Sequence, residues 1–235
     1  MRLLVELEPL ASVKYDVVNK HAVQGMIYNM LRGTQFDVLH LSQRFKYFTF
    51  SDIFPVSDFI PGTSKNLIIS SPNRQLIETL YSALLECKTI KIKEAPFIIK
   101  HVKMFSLKYA NRFICGSPIV LYKDNRSNEY FSFEKHQDLK FFLDRLKANA
   151  IKKYSAYTGS PFELDEQIFD KIVFKKEVAV KDFKSGKEFI IIGSVWKLLE
   201  KFYIPRHLIP FYEFIMDCGL GEKNSLGFGL INPVR

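Results

Sequence analysis

The stretch Asp217–Leu230 reads DCGLGEKNSLGFGL. Gly219, Gly221, Gly227 and Gly229 form a G-x-G-x5-G-x-G pattern, with Leu220 and Phe228 inside the two pairs. Two glycine pairs around a polar, basic loop let backbone N–H groups come close to a phosphate. Lys223, Asn224 and Ser225 add a charge, an amide and a hydroxyl to that loop. No G-x4-G-K-[ST] is present, so this is not a nucleotide P-loop. No βαβ unit follows, so it is not a dinucleotide fingerprint. A tight loop packed on a sheet would use the same glycines, and on this stretch alone both readings stand.

Outward from the loop, His207–Cys218 reads as a helix and Leu226–Asn232 as a closing strand. Phe169–Val180 and Lys187–Gly193 read as a hairpin turning at Ser185-Gly186, followed by a helix over Val195–Phe202. Pro118–Tyr122 and Tyr130–Phe133 read as strands, and Phe133–Lys153 as a helix with Leu139, Phe142, Leu143 and Leu146 on its stripe. The N-terminal half is more regular. Arg2–Glu8 alternates as a strand, and Val18–Leu31 carries helical spacing that stops at Gly33. Phe36–Leu41 holds one helical turn, and Phe45–Phe50 (FKYFTF) and Asn66–Ser70 read as strands. Asn73–Leu85 is a second helix, with Asn73 or Ser71 near its N-cap and Leu76, Ile77, Leu80 and Leu84 on its apolar face. Thr89–Lys93 and Phe97–Ser106 close the half as strands. The order is βαββαβ, and a looser version recurs. The expected fold is therefore α+β, two tandem ferredoxin-like (RRM-like) domains over 1–110 and 111–235 with a C-terminal glycine-rich loop.

Across 235 residues, 34 Lys and Arg face 25 Asp and Glu, a formal charge of +9. Hydrophobic residues at 47% exclude a disordered chain. No apolar run approaches the ~18 residues of a membrane span, and the N-terminus lacks a signal-peptide pattern. Cys87, Cys115 and Cys218 are dispersed, which points to neither a disulfide framework nor a zinc site. A soluble, cytoplasmic protein is the expectation. Basic residues crowd between Lys88 and Arg112, and 11 Tyr with 22 Phe supply stacking rings. Basic surface with many aromatic rings is the composition of an RNA binder, although a solvated strand face over an aromatic core has it too.

At residue level the chain resembles the CRISPR repeat-processing endoribonucleases of the RAMP superfamily. The tail Gly221–Leu230 carries their glycine signature. The N-terminal strand, the segment Gln24-Gly25-Met26-Ile27-Tyr28-Asn29 and the strand Phe48-Thr49-Phe50-Ser51 extend the likeness over most of the chain. The resemblance implies metal-free cleavage of repeat RNA (pre-crRNA) by the 2′-OH beside the scissile phosphate, leaving 2′,3′-cyclic phosphate and 5′-OH ends, with no cofactor. It also implies a site made of a Tyr on the first helix, a His shortly after it and a Lys beyond.

Those positions here are Tyr28, His40 and Lys46, with Tyr47 in reserve for Tyr28. His moves protons near neutral pH, and Lys offsets phosphate charge. Tyr28 shares a helix face with His21, Gln24 and Arg32. Each residue also has an ordinary reading: a core-edge tyrosine, a structural histidine, a surface lysine. His21, His101, His136 and His207 fit a catalytic role less well. No His, Cys or carboxylate group has metal-ligand spacing.

For tracking the RNA backbone the candidates are Lys91, Lys93, Lys100, Lys103 and Lys152-Lys153, together with Gly219, Gly221, Lys223, Asn224, Ser225, Gly227 and Gly229 of the loop. The partners implied are CRISPR repeat RNA, with room for a homodimer or for subunits of a CRISPR effector complex. A second reading is a non-catalytic RNA-binding subunit of the same superfamily, for which His40 would be dispensable. A third, an enzyme of small phosphates, is disfavoured because the basic residues are spread along the chain.

Overall fold

The computed structural model describes residues 1–184 and 187–234. Alternation makes the first strand, β1 (Arg2–Pro9): Leu3, Val5 and Leu7 are buried, and Leu4, Glu6 and Glu8 between them are half-exposed. Helix α1 (Lys20–Met30) starts where the Asn19 side chain accepts from the Ala22 N–H, and it buries Val23, Met26 and Ile27. A short strand β2 (Thr49–Phe50), then β3 (Lys65–Ser70), helix α2 (Arg74–Glu86) and the hairpin β4 (Thr89–Ile92) and β5 (Ala95–Phe105) follow. The α2 cap is Asn73, accepting from the Leu76 N–H, and the four residues on its expected stripe are all buried. Asn73→Ala should lower the folding free energy by about 1 kcal/mol, read as a shift in the urea midpoint with unchanged slope. The sheet runs β2-β3-β1-β5-β4, antiparallel throughout.

The second half begins with β6 (Arg112–Cys115), a strand not anticipated from the sequence. A small hairpin, β7 (Tyr122–Asp124) and β8 (Glu129–Tyr130), precedes helices α3 (Phe133–His136) and α4 (Leu139–Thr158). Long strands β9 (Lys171–Lys184) and β10 (Lys187–Glu200), helix α5 (Ile209–Cys218) and β11 (Ile231–Pro233) complete it. The sheet order is β11-β6-β10-β9. In both sheets the first strand of the βαββαβ unit lies between its third and fourth strands, the ferredoxin-like arrangement expected, used twice.

Several elements differ from expectation for physical reasons. Val195–Phe202 is not a helix: Val195 to Glu200 continue β10 and pair with β9. Register shifts flank Trp196, so Trp196 and Leu199 both point inward three residues apart and imitate helical spacing. The expected helix from Phe133 is two helices, because Gln137 is left-handed and Asp138 caps a new start. FKYFTF pairs only at Thr49 and Phe50, because Tyr47 at φ 51° breaks extension. Ile119 and Val120 form isolated bridges, and pairing resumes only in the β7–β8 hairpin. Asn224–Leu226 form a 3-10 turn, so the closing strand is confined to Ile231–Pro233. The expected turn at Ser185-Gly186 lies outside the described residues.

The halves are tied by a buried arginine. Arg2 donates to Asn232 Oδ1 (2.6 Å) and to the carbonyls of Met216 (2.9 Å) and Ile231 (2.8 Å), so β1 is fixed to the second half. On α1, His21 Nδ1 lies 2.6 Å from the buried carboxylate of Asp182 on β9.

Candidate active site

The face of α1 that carries His21, Gln24 and Tyr28 is not open surface. It packs on the second half and on the glycine-rich loop. Gln24 Nε2 donates to the Ser225 carbonyl (2.7 Å), and Lys20 Nζ donates to the Gly227 carbonyl (2.9 Å).

Beyond α1 the chain turns at Gly33 (φ 74°), makes a 3-10 turn over Asp37–Leu39 and returns through an irregular run to Thr49. His40 ends that turn and is exposed. The returning run lays Lys46 over α1. Its Nζ donates to Tyr28 Oη (2.8 Å) and stands 5.0 Å from the ring centroid. The His40 ring meets Tyr28 edge-on, with centroids 5.2 Å apart at 83°. Tyr28, His40 and Lys46 thus come together from a helix, a turn and a returning loop. Burial pushes the Tyr28 phenol up to about 12, opposed by a hydrogen bond with the Ser225 side chain. Tyr28 therefore keeps its proton near neutral pH.

The Tyr47 ring packs on Phe45, Tyr157 and Phe214, at the edge of the second half's core. Its backbone is left-handed (φ 51°), and Tyr47 lines the same cleft as Lys46.

The loop facing this group is built around one buried lysine. Lys153 Nζ donates to the carbonyls of Gly219 (2.7 Å) and Gly221 (2.9 Å) and to Asn224 Oδ1 (2.7 Å). Asn224 Nδ2 in turn donates to the carbonyls of Leu220 (2.9 Å) and Phe228 (3.0 Å). Lys153 is 2% exposed and its Nζ is satisfied by the loop, so unlike the exposed Lys152 it is not placed to contact an RNA backbone. The signal was in the sequence: Phe142, Leu146, Ala150 and Lys153 form one buried stripe of α4, so this lysine sits at a core position.

All four loop glycines are buried. A Cβ on Gly229 (φ 75°) would overlap the Leu220 carbonyl, and one on Gly227 (φ 79°) would enter the Phe50 ring. Their lack of a side chain serves close packing of the loop. Its half-buried residues Lys223, Asn224 and Ser225 line a cleft of about 200 Å³ opposite Arg44, Phe45 and Lys46. Arg44, two residues before Lys46, is a cleft cation that the sequence reading passed over.

The strand lysines lie apart, on the first sheet. Lys91 pairs with Glu94 (3.1 Å) and Lys100 with Glu8 (3.1 Å). Lys93 sits in the β4–β5 turn at φ 53°, and Lys103 is exposed on β5. Among the described residues no group of three or more His, Cys, Asp or Glu is arranged to hold a metal ion, and no helix is long and apolar enough to cross a membrane.

Residues 99–233 match the family described as CRISPR associated protein Cas6, C-terminal. The chain is 46% identical over 241 residues, the whole of both proteins, to CRISPR-associated endoribonuclease Cas6 2 of Methanocaldococcus jannaschii. The chain belongs to the Cas6 family. It is also 23% identical to CRISPR-associated endoribonuclease Cas6 of Haloferax mediterranei, covering all of this chain and 94% of that one. A solved structure titled CRISPR associated protein Cas6 superposes with a TM-score of 0.71 at 25% identity, over 100% of this chain and 99% of the other. The double ferredoxin-like architecture is therefore that of a Cas6 protein.

Proposed function

We propose that this Cas6 chain is a metal-independent endoribonuclease that cuts CRISPR repeat RNA by transesterification. The 2′-oxygen beside the scissile phosphate forms a bond to phosphorus, and the bond from phosphorus to the 5′-oxygen breaks. The proton leaves the 2′-OH and another is delivered to the leaving 5′-oxygen, giving a 2′,3′-cyclic phosphate and a 5′-OH end. The observation that carries this reading is the meeting of Tyr28 with both His40 and Lys46, and of Lys46 with a cleft faced by the glycine-rich loop.

The roles follow from the geometry. His40 is exposed and moves a proton in the step. Lys46, with Arg44 beside it, offsets the charge that builds on the non-bridging oxygens. Tyr28 accepts from Lys46 and so aims the ammonium. Its phenol, at about 12, does not serve as an ionised base. Tyr28→Phe should therefore slow cleavage through loss of positioning while the pH–rate profile keeps its shape between about pH 6 and 9, since an unperturbed tyrosine already titrates near 10. A limb that vanishes in Tyr28→Phe would assign the proton transfer to the phenol instead.

Lys223, Ser225, Lys93 and Lys103 are proposed contacts to the RNA backbone, and the boundary of two domains at residues 110 and 111 is part of the same proposal. Single-stranded RNA binding should weaken with salt by about 0.7 log units per log unit for each phosphate contacted, and Lys103→Ala should flatten that slope by one contact. Mass spectrometry of the upstream product tests the chemistry: a cyclic phosphate is expected, and a 3′-OH end would refute 2′-OH attack.

A further inference from the structure

The glycine-rich loop is joined to the β7–β8 hairpin. Glu222 and Val120 form an isolated bridge, and the Tyr122 N–H donates to Glu222 Oε2 (3.2 Å). Tyr122 and Tyr130 are directly opposite each other in the hairpin, and their rings stack with centroids 4.9 Å apart at 20°. Cross-strand aromatic pairs of this kind stabilise a short hairpin. Lys223 Nζ stands over both rings, 5.5 Å from the Tyr122 centroid and 5.6 Å from that of Tyr130.

Two observations distinguish this lysine. Its backbone is left-handed at φ 57°, as it is in no other non-glycine residue of the loop. Glycine would hold that conformation with less strain, so the position is occupied for its side chain. Second, no described residue accepts a hydrogen bond from Lys223 Nζ, although the ammonium lines the cleft opposite Arg44 and Lys46. The other two lysines that touch the loop direct their N–H groups inward: Lys153 to the carbonyls of Gly219 and Gly221, Lys20 to that of Gly227. Attraction to a ring face, by contrast, leaves an ammonium's N–H groups free for an anion.

We infer that Tyr122 and Tyr130 are positioning residues that hold the Lys223 ammonium in the cleft to bind a phosphate of the RNA backbone. A free lysine samples many rotamers and loses that freedom when it makes a contact. Two rings at nearly equal distance fix the ammonium in advance, and its N–H groups then meet phosphate oxygens in charge-assisted hydrogen bonds. With the lysine over them, the rings serve the cation rather than stacking a base. The inference deepens the proposed function and rests on it for RNA as the partner.

The test reads the salt dependence of RNA binding, separately from cutting, with repeat RNA made uncleavable by a 2′-deoxy nucleotide at the cut. Lys223→Ala should flatten the slope by one phosphate contact, about 0.7 log units per log unit of salt, or about a 5-fold loss of affinity at 0.1 M. The double variant Tyr122→Leu with Tyr130→Leu should flatten it by the same amount. Tyr122→Phe and Tyr130→Phe, which keep the rings, should bind as the wild type does. Added to Lys223→Ala, the leucines should change the slope no further, whereas a purely structural hairpin would show no such dependence on Lys223. A wild-type slope in Lys223→Ala would overturn the inference whether or not the leucine variants fold. So would a wild-type slope in the double leucine variant, or a further loss when the leucines are added to Lys223→Ala, which would set the rings against a base. The expected slopes in an enzyme that never cuts unmodified repeat RNA would leave the inference standing and overturn the nuclease reading. Absence of RNA binding by the wild type would overturn both.

Discussion

His40→Ala should slow cleavage of repeat RNA by roughly 10²–10⁴-fold, the usual loss for one proton-transfer group, with RNA affinity and thermal midpoint almost unchanged. The separation follows from placement. His40 is exposed at the end of a short turn, and its ring touches Tyr28 only edge-on, so little packing is lost with it. Lys46→Ala should also reduce the rate, but it removes the hydrogen bond to Tyr28 as well. The double variant should then fall short of the product of the two single losses, because the residues act as a unit. A His40→Ala enzyme within a few-fold of wild type would remove the histidine from the mechanism.

Lys153→Met should destabilise the fold, at about 1–3 kcal/mol for each buried acceptor left unpaired, partly offset by removal of a buried ammonium. The lysine is fully enclosed, and burial pushes its ammonium down from the ordinary lysine range. Methionine fills similar space but strands two glycine carbonyls and the Asn224 amide oxygen inside the loop. The loop carries Ser225, whose side chain hydrogen-bonds to Tyr28 and whose carbonyl holds Gln24. Cleavage should therefore drop even at temperatures where the variant is folded. A variant with wild-type melting would mean that the loop keeps its shape without its anchor.

Much of the fold is legible from periodicity. Helix α2, its Asn73 cap and its four-residue apolar stripe can be read directly, because local propensity and burial agree there. Legibility fails where a local irregularity changes the period. The register shifts at Trp196 give a strand the spacing of a helix, and the left-handed Tyr47 ends an aromatic run that composition alone would make a strand. At the site, Tyr28, His40 and Lys46 stood out only through the family resemblance, since each has an ordinary structural reading by itself. The sequence also hides direction. The loop glycines are buried, with the N–H groups of Gly219, Gly227 and Gly229 bonded to carbonyls of the chain itself, and Lys153 turns inward while its neighbour Lys152 stays in solvent. Arg145 and Asn149 are inconspicuous residues of a helix until folding leaves one polar atom of each buried without a partner among the described residues.

The most direct measurement is cleavage of labelled repeat RNA in excess EDTA, comparing an all-ribose substrate with one carrying a single 2′-deoxy nucleotide just upstream of the cut. Cutting of the first at one position, with the second bound as tightly but left intact, is the result expected of a nuclease that uses the RNA's own 2′-OH and the Tyr28–His40–Lys46 group. Loss of cutting in EDTA, or equal cutting of both RNAs, would contradict it.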